Sequence, residues 1–174
     1  MAETEWWQCG PVVGVPAVLQ PIAHILLQVR ESVHEMVPGL TEAQWNARPA
    51  GVASAGFHVL HMAGVIDRLF TYARGEALTD TQRAALKRER EPVVTLADVD
   101  GMLAELDARV EAAIAELKTI DPATLGAFRG IGRAQLPSTV IGCLVHGAEH
   151  SMRHVGQLSV TLRVVKDIHP TAGS

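Results

Sequence analysis

A long amphipathic helix is indicated by the stretch Leu144-Val-His146-Gly-Ala-Glu-His150-Ser-Met-Arg-His154-Val-Gly-Gln-Leu158. Apolar residues in and just beyond it recur at intervals of three and four, which places them on one face of an α-helix. The expected core face is formed by Leu144, Ala148, Val155, Leu158 and Leu162. The side expected to face water carries Glu149, Arg153 and Arg163. With Ser138 as its N-cap, this helix is expected to run to about Val165.

Three further long helices are predicted upstream from the same apolar periodicity. They are expected at about residues 21–37, 54–73 and 95–117. Ser54 and Thr95 are the expected N-caps of the second and third of these helices. No convincing pair of strands is evident in the remaining sequence. We therefore expect an all-α fold, an up-and-down four-helix bundle in which side chains on facing helices meet in the core.

The N-terminal segments are expected to be irregular before the first long helix. Residues 1–16 contain Gly-Pro breaks and predict an arm that lies over the core through Trp6 and Trp7. After the first long helix, Thr41 and Gln44 have the spacing of a capping box, which predicts a short helical turn.

Two connecting segments are also predicted. Residues 79–91 are dominated by charge and predict an exposed helical connector with a solvated face that ends at Pro92. The loop at residues 125–133 contains Gly130-Ile-Gly132, but this motif lacks the third glycine of a GxGxxG pattern, and no strand is expected before it. It therefore does not match a phosphate-binding loop.

Composition limits the classes of function. The chain has 174 residues, which suits one domain covering residues 1–174. Its net charge of -4 and its 4% aromatic content argue against nucleic acid as a partner. No stretch approaches 18 consecutive apolar residues, so no membrane span is expected. With two cysteines and an acidic start, the chain is expected to be cytoplasmic.

The eight histidines are the unusual feature of the sequence. His146, His150 and His154 are each four residues apart, which offsets successive rings by about 40° around a helix and about 6 Å along it. Two imidazoles so spaced can bind one metal ion, and a ligand from a facing helix would complete a three-nitrogen set. The second long helix offers His58 and His61 for that role.

The helical wheel narrows the set of candidate histidine ligands only in part. His154 and then His150 lie nearest the apolar edge of their helix, whereas His146 lies beside Arg153 and outside the expected ligand set. The wheel does not separate His58 from His61, and His58 is slightly nearer the apolar centre. The isolated His24, His34 and His169 predict ordinary hydrogen-bonded or surface residues. No GxSxG motif occurs, and Asp67 and the two cysteines do not suggest a nucleophilic triad.

Two motifs together carry a family resemblance. The segment Ser54-Ala-Gly-Phe-His-Val-Leu-His61-Met-Ala, followed much later by Ala148-Glu-His150-Ser-Met-Arg-His154-Val-Gly-Gln, resembles the DinB-like superfamily. The linker from Leu40 to Pro49 is similar to that family as well, and the likeness covers roughly residues 16–166. It implies a four-helix bundle in which His61, His150 and His154 bind a metal. This set agrees with the wheel for the last helix, and it leaves His58 as an outer contact or substitute ligand.

The resemblance also implies a class of function. Characterised members of the DinB-like superfamily include metal-dependent transferases and isomerases that act with low-molecular-weight thiols such as mycothiol or bacillithiol. The expectation is therefore an enzyme that binds a divalent metal, Zn²⁺ first and Ni²⁺ or Fe²⁺ as alternatives, and transfers such a thiol to a small electrophile. A metal-dependent hydrolase and a noncatalytic metal-binding bundle are the alternatives. A homodimer is a further expectation, and no role in binding DNA is inferred.

Overall fold

The structure is a computed structural model that describes residues 4–89 and 93–170, and most of these residues are helical. The helices are α1 (Gln20–Met36), α2 (Glu42–Asn46), α3 (Ala55–Ala73), α4 (Asp80–Arg88), α5 (Leu96–Leu117) and α6 (Val140–Ile168). Two short strands, β1 (Phe128–Ile131) and β2 (Leu136–Thr139), form an antiparallel hairpin. The all-α prediction therefore holds broadly, with this hairpin as an addition.

The four long helices enclose the core. Both α1 and α3 contact both α5 and α6, and the buried apolar side chains form one cluster. Fully buried members of this cluster come from each of the four helices: Leu26, Met62, Leu106, Leu144 and Leu158. Burial of such side chains is the main source of stability in a helical protein of this size. The helix pair with the most extensive contact is α3 with α6, which brings together the two helices that carry the clustered histidines.

Side-chain caps fix the beginnings of several helices. The backbone N–H of Gln44 donates to Thr41 Oγ1, and the N–H of Thr41 donates to Gln44 Oε1, so the predicted capping box is confirmed. Ser54 caps α3 by accepting from the N–H of Phe57 at 3.2 Å, also as predicted. For α6 the predicted cap is wrong by one position, because Thr139 accepts from the N–H of Gly142 at 3.1 Å.

The hairpin before α6 was not predicted, and the reason is local. Each strand has only four residues, and the pairing sets Gly130 opposite Pro137, so neither strand shows the alternation of apolar and polar residues that would indicate it. In the turn, Gly132 and Gln135 have φ values of 65° and 49°. The hairpin packs against the C-terminal end of α3, where Arg129 Nε donates to the carbonyl of Ala73 at 2.6 Å.

The prediction of a solvated connector is wrong at one residue. Most of α4 is exposed, as expected, and Thr79 caps its beginning. Glu89, immediately after α4, is instead only 4% exposed. Gln82 Nε2 also ties α4 to α3 by donating to the Asp67 carboxylate and to Thr71 Oγ1. The last part of the predicted connector, residues 90–92, lies outside the described residues.

The N-terminal arm follows its prediction in part. Trp6 is half-buried against the core, and its backbone N–H donates to Gln28 Oε1 at 3.0 Å. Trp7 is 66% exposed, so only one of the two tryptophans covers the core as expected. Residues 1–3 of the predicted arm lie outside the described residues.

A sharp bend separates α2 from α3. A short 3-10 turn, Pro49–Gly51, lies between them, and Ala50 and Gly51 have positive φ values of 52° and 77°.

No single helix within residues 4–89 and 93–170 is long and apolar enough to span a membrane. The segments Glu42–Gly51 and Ala55–Ala73 meet that criterion only as a pair, and they are bent by 91°.

Replacing Leu158 tests the packing of α6. Leu158 is fully buried, so Leu158→Ala should lower the free energy of unfolding by about 2–5 kcal/mol through lost burial and the cavity that remains. Val160→Ala on the same helix is the control, because Val160 is 62% exposed and its truncation should change stability by less than about 0.5 kcal/mol. Urea denaturation would measure both values. Equal losses for the two variants would contradict the described orientation of α6.

Candidate metal centre

Three histidine side chains converge between α3 and α6. His61 comes from α3, and His150 and His154 come from successive turns of α6. His61 Nε2 lies 3.1 Å from His150 Nε2, and His150 Nε2 lies 3.1 Å from His154 Nε2. One ligand atom from each of the three rings lies within 4.8 Å of the other two. The structure thus brings together the three residues expected from the sequence.

The other two candidate histidines are placed differently. His58 is buried, and its Nδ1 lies 2.9 Å from His154 Nδ1, on the edge of His154 that faces away from the three Nε2 atoms. His58 therefore contacts the outer edge of His154 and is not one of the three converging rings. His146 has a side chain that is 54% exposed, and it lies near Glu149 rather than toward α3. Glu149 faces away from the cluster, as predicted, and pairs with Arg153.

The isolated histidines lie apart from the cluster: His24 is half-buried, and His34 and His169 are exposed. His24 Nε2 lies 3.0 Å from the carbonyl oxygen of Gly10, and His34 Nε2 lies 2.8 Å from Asp107 Oδ1. His169 is exposed at the end of α6. None of these rings approaches the cluster, in line with the sequence-based prediction.

Hydrogen bonding determines which nitrogen of His61 carries a proton. His61 Nδ1 lies 2.9 Å from Glu89 Oε2. Burial would raise the pKa of Glu89, but hydrogen bonds from His61 and Arg68 outweigh burial and lower that pKa. Glu89 is therefore an ionised acceptor, and His61 Nδ1 must donate. This leaves the Nε2 of a neutral His61 with a free lone pair that faces His150.

Burial favours the uncharged form of three of the grouped histidines, His58, His150 and His154. Burial, together with the neighbouring His61, lowers the pKa of His58 to about 4. The same two causes, with smaller contributions from neighbouring His150 and His58, lower the pKa of His154 to about 3. Burial and nearby His61 also lower the pKa of His150. Neutral imidazoles are the form that binds a metal ion.

The arrangement fits a divalent metal ion. In tetrahedral zinc sites the metal–nitrogen bonds of about 2.0–2.1 Å place neighbouring nitrogen ligands about 3.3 Å apart. The 3.1 Å separations in this cluster are close to that value. Neutral nitrogens at this distance repel unless a proton or a cation lies between their lone pairs, and one cation can satisfy all three. Within the described ranges, no fourth His, Cys, Asp or Glu joins the group.

The comparison with known proteins agrees with this geometry. The model of the DinB superfamily matches residues 25–158, which include all three converging histidines. The chain belongs to the DinB superfamily. The sequence-based prediction of that family is therefore confirmed, and the superfamily is metal-binding in general. No curated protein matches the sequence.

Sequence reasoning missed two residues beside the site of this DinB-superfamily chain. Arg68 and Glu89 form a buried ion pair, in which Arg68 Nη2 donates to Glu89 Oε2 at 3.0 Å and Nη1 contacts Oε1. Arg68 is seven residues after His61 and therefore lies on the same face of α3. The available signal for Arg68 was its charge on the same helical face as the candidate ligand His61. Glu89 gave no comparable signal, because it belongs to a run of charged residues.

An open cavity adjoins the histidine cluster of this DinB-superfamily chain. It has a volume of about 610 Å³, and its lining includes Val52, Phe57, His58, His154, Val160 and Thr161. Phe57 stacks on the His61 ring with a centroid separation of 5.0 Å and an interplanar angle of 14°. Arg153 and Gln157 add polar groups to the lining, and of the three converging histidines only His154 lines the cavity.

The lowered pKa values predict a pH-dependent stability. The unfolded chain binds protons at His58 and His154 below pH 6.5, whereas the folded protein resists protonation there until about pH 4 and about pH 3. The free energy of unfolding of the metal-free protein should therefore be highest above pH 6.5 and fall as the pH is lowered. A loss on the order of 4 kcal/mol, about 2 kcal/mol from each ring, is expected between pH 7 and pH 5.

Urea denaturation at a series of pH values, in the presence of a chelator, would measure this loss. His58→Leu removes one of the two groups, so its stability should fall less steeply over the same interval. A flat profile for the unaltered protein between pH 7 and pH 5 would show that these rings are not held neutral.

Proposed function

We propose that the protein binds one divalent metal ion through the Nε2 atoms of His61, His150 and His154. These ligands would lie between the second and fourth long helices, α3 and α6, of a four-helix bundle. The observation that carries the proposal is the convergence of the three Nε2 atoms, with separations of 3.1 Å on both sides of His150. Three imidazole ligands suit Zn²⁺ best, and Ni²⁺ and Fe²⁺ are compatible with the same donors.

The proposed site is catalytic rather than purely structural. Structural zinc sites are closed by four protein ligands, whereas catalytic sites keep a position for water or substrate. The described residues supply three ligands, and His61 and His150 are only half-buried. When bound, the ion would lower the pKa of a thiol or water in the remaining position and so supply a nucleophile near neutral pH.

The reaction we propose is transfer of a low-molecular-weight thiol to a small electrophile, as the family resemblance implies. The thiol would lose its proton to solvent, its sulfur would form a bond to carbon, and the leaving group of the electrophile would depart. The cavity beside His154 supports this choice, because Val52, Phe57 and Val160 can hold an apolar electrophile. Thr161, which is 5% exposed, offers a hydroxyl to a polar group of that substrate.

Removing two ligands from α6 tests the metal site. The double variant His150→Ala with His154→Ala should lose stoichiometric binding of Zn²⁺, because only His61 remains of the three. His146→Ala is the matched control, since it removes an exposed histidine one turn before His150 and should keep one ion per chain. Elemental analysis after dialysis would give the stoichiometry, and circular dichroism would confirm folding. Full occupancy in the double variant would overturn the assignment.

The two histidines of α3 should separate in the same assay. His61→Ala removes a proposed ligand and should weaken binding and flatten its pH dependence, because one fewer proton competes with the ion. His58→Ala should keep one ion per chain with an affinity about 10 to 100 fold lower, since it removes only the outer partner of His154. Calorimetric titration over a pH series would measure both. The reverse order of effects would make His58 the ligand.

An activity assay tests the proposed reaction. Protein loaded with Zn²⁺, Ni²⁺ or Fe²⁺ should accelerate the consumption of a low-molecular-weight thiol by an activated aryl halide. The His146→Ala control should react at the rate of the unaltered protein, and the double variant should fall to the uncatalysed rate. Hydrolysis of an ester without thiol consumption would point to activated water instead. Metal binding without either activity would leave a noncatalytic metal protein.

A further inference from the structure

The buried ion pair beside the cluster needs an explanation other than stability. The side chains of Arg68 and Glu89 are 8% and 6% exposed. Moving two charges out of water is costly, and replacing such a pair by apolar residues is often neutral or stabilising. Stability alone therefore does not account for a charged pair at this position. Its geometry suggests a different role.

The Glu89 carboxylate bridges two residues of α3. Its Oε2 accepts from His61 Nδ1 at 2.9 Å and from Arg68 Nη2 at 3.0 Å, while Oε1 contacts Arg68 Nη1. Arg68 thus fixes the position of the Glu89 carboxylate, and the carboxylate in turn fixes the orientation of the His61 ring.

Gly64 leaves the space that this carboxylate occupies. A Cβ atom at position 64 would lie 2.0 Å from Glu89 Oε1 and 2.5 Å from Arg68 Nη1, which no real side chain could occupy without displacing them. His61, Gly64 and Arg68 lie on one face of α3 because they are three, four and seven residues apart. The Glu89 carboxylate packs against this face of α3 at Gly64.

The three converging histidines differ in the hydrogen-bond partner of Nδ1, the ring nitrogen that does not point into the cluster. His61 donates to a carboxylate, whereas His154 has the neutral Nδ1 of His58 as its partner. His150 Nδ1 is buried and has no hydrogen-bond partner in the part of the chain that the structure describes. A carboxylate behind a ligating histidine fixes its tautomer and makes its free nitrogen a stronger donor. His61 is therefore the best-oriented ring of the three.

We propose that Glu89 is a positioning residue for the metal site, so that metal affinity depends on the docking of α4 onto α3. This inference rests on the proposed metal function. Glu89 immediately follows α4, and Gln82 within α4 also binds α3 through Asp67 and Thr71. An ion on His61 Nε2 makes Nδ1–H a stronger donor to Glu89, so binding of the ion and docking of α4 stabilise each other.

The first test compares the Zn²⁺ affinity of three variants with that of the unaltered protein. Glu89→Gln keeps the size of the side chain and removes its charge, so the Kd for Zn²⁺ should rise about 10 to 100 fold with one ion still bound. Gly64→Ala should have a similar effect, because its methyl group displaces the carboxylate. Gly101→Ala is the matched control: it is also a helical glycine, but its added Cβ meets nothing within 4 Å. Its Kd should equal that of the unaltered protein.

The second test reads the His61 ring without any ion. In the metal-free protein, ¹⁵N chemical shifts should show His61 as the Nδ1–H tautomer, and Glu89→Gln should convert it into a mixture of tautomers. Hydrogen exchange should show that Zn²⁺ slows exchange of the α4 amides in the unaltered protein and has a smaller effect in Glu89→Gln.

The outcomes separate the two proposals. If Glu89→Gln and Gly64→Ala lose stability but keep the Zn²⁺ affinity and the His61 tautomer, the ion pair is only structural and the positioning role is overturned. If the unaltered protein binds no Zn²⁺, the proposed metal function fails. In that case the tautomer measurement, which needs no ion, still decides whether Glu89 orients His61.

Discussion

The close approach of α3 and α6 is the constraint on which the candidate site depends. Its ligands come from both helices, and the Nε2 atoms of His61 and His150 are only 3.1 Å apart. Gly147 makes this approach possible, because a Cβ at that position would lie 3.3 Å from the Leu69 side chain. Ala148 and Ala63 are further small residues buried in these two helices. A side chain that widens this contact would also move the nitrogens of the two helices apart.

The helices could be predicted from the sequence because apolar periodicity reports burial directly. The predicted ranges of 54–73 and 138–165 differ by a few residues from the observed α3 and α6. The convergence of His150 and His154 followed from helical geometry alone. The choice of His61 over His58 did not, because it depends on the rotation of α3 relative to α6, and only the family resemblance separated the two.

The parts that the sequence did not reveal depend on distant contacts. Glu89 meets His61 across 28 positions of the chain. Local pattern cannot indicate which carboxylate in a charged run folds inward, since that depends on Arg68 and on the space above Gly64. The hairpin before α6 escaped prediction for a related reason. Its short strands are defined by their pairing with each other and by their packing on the end of α3, rather than by their own composition.

The unequal support of the three rings has a kinetic consequence. His150 has no outer hydrogen bond among the described residues, so packing alone resists rotation of its ring, whereas rotation of His61 would break its bond to Glu89. Rotation of the His150 ring would therefore be faster than rotation of the His61 ring.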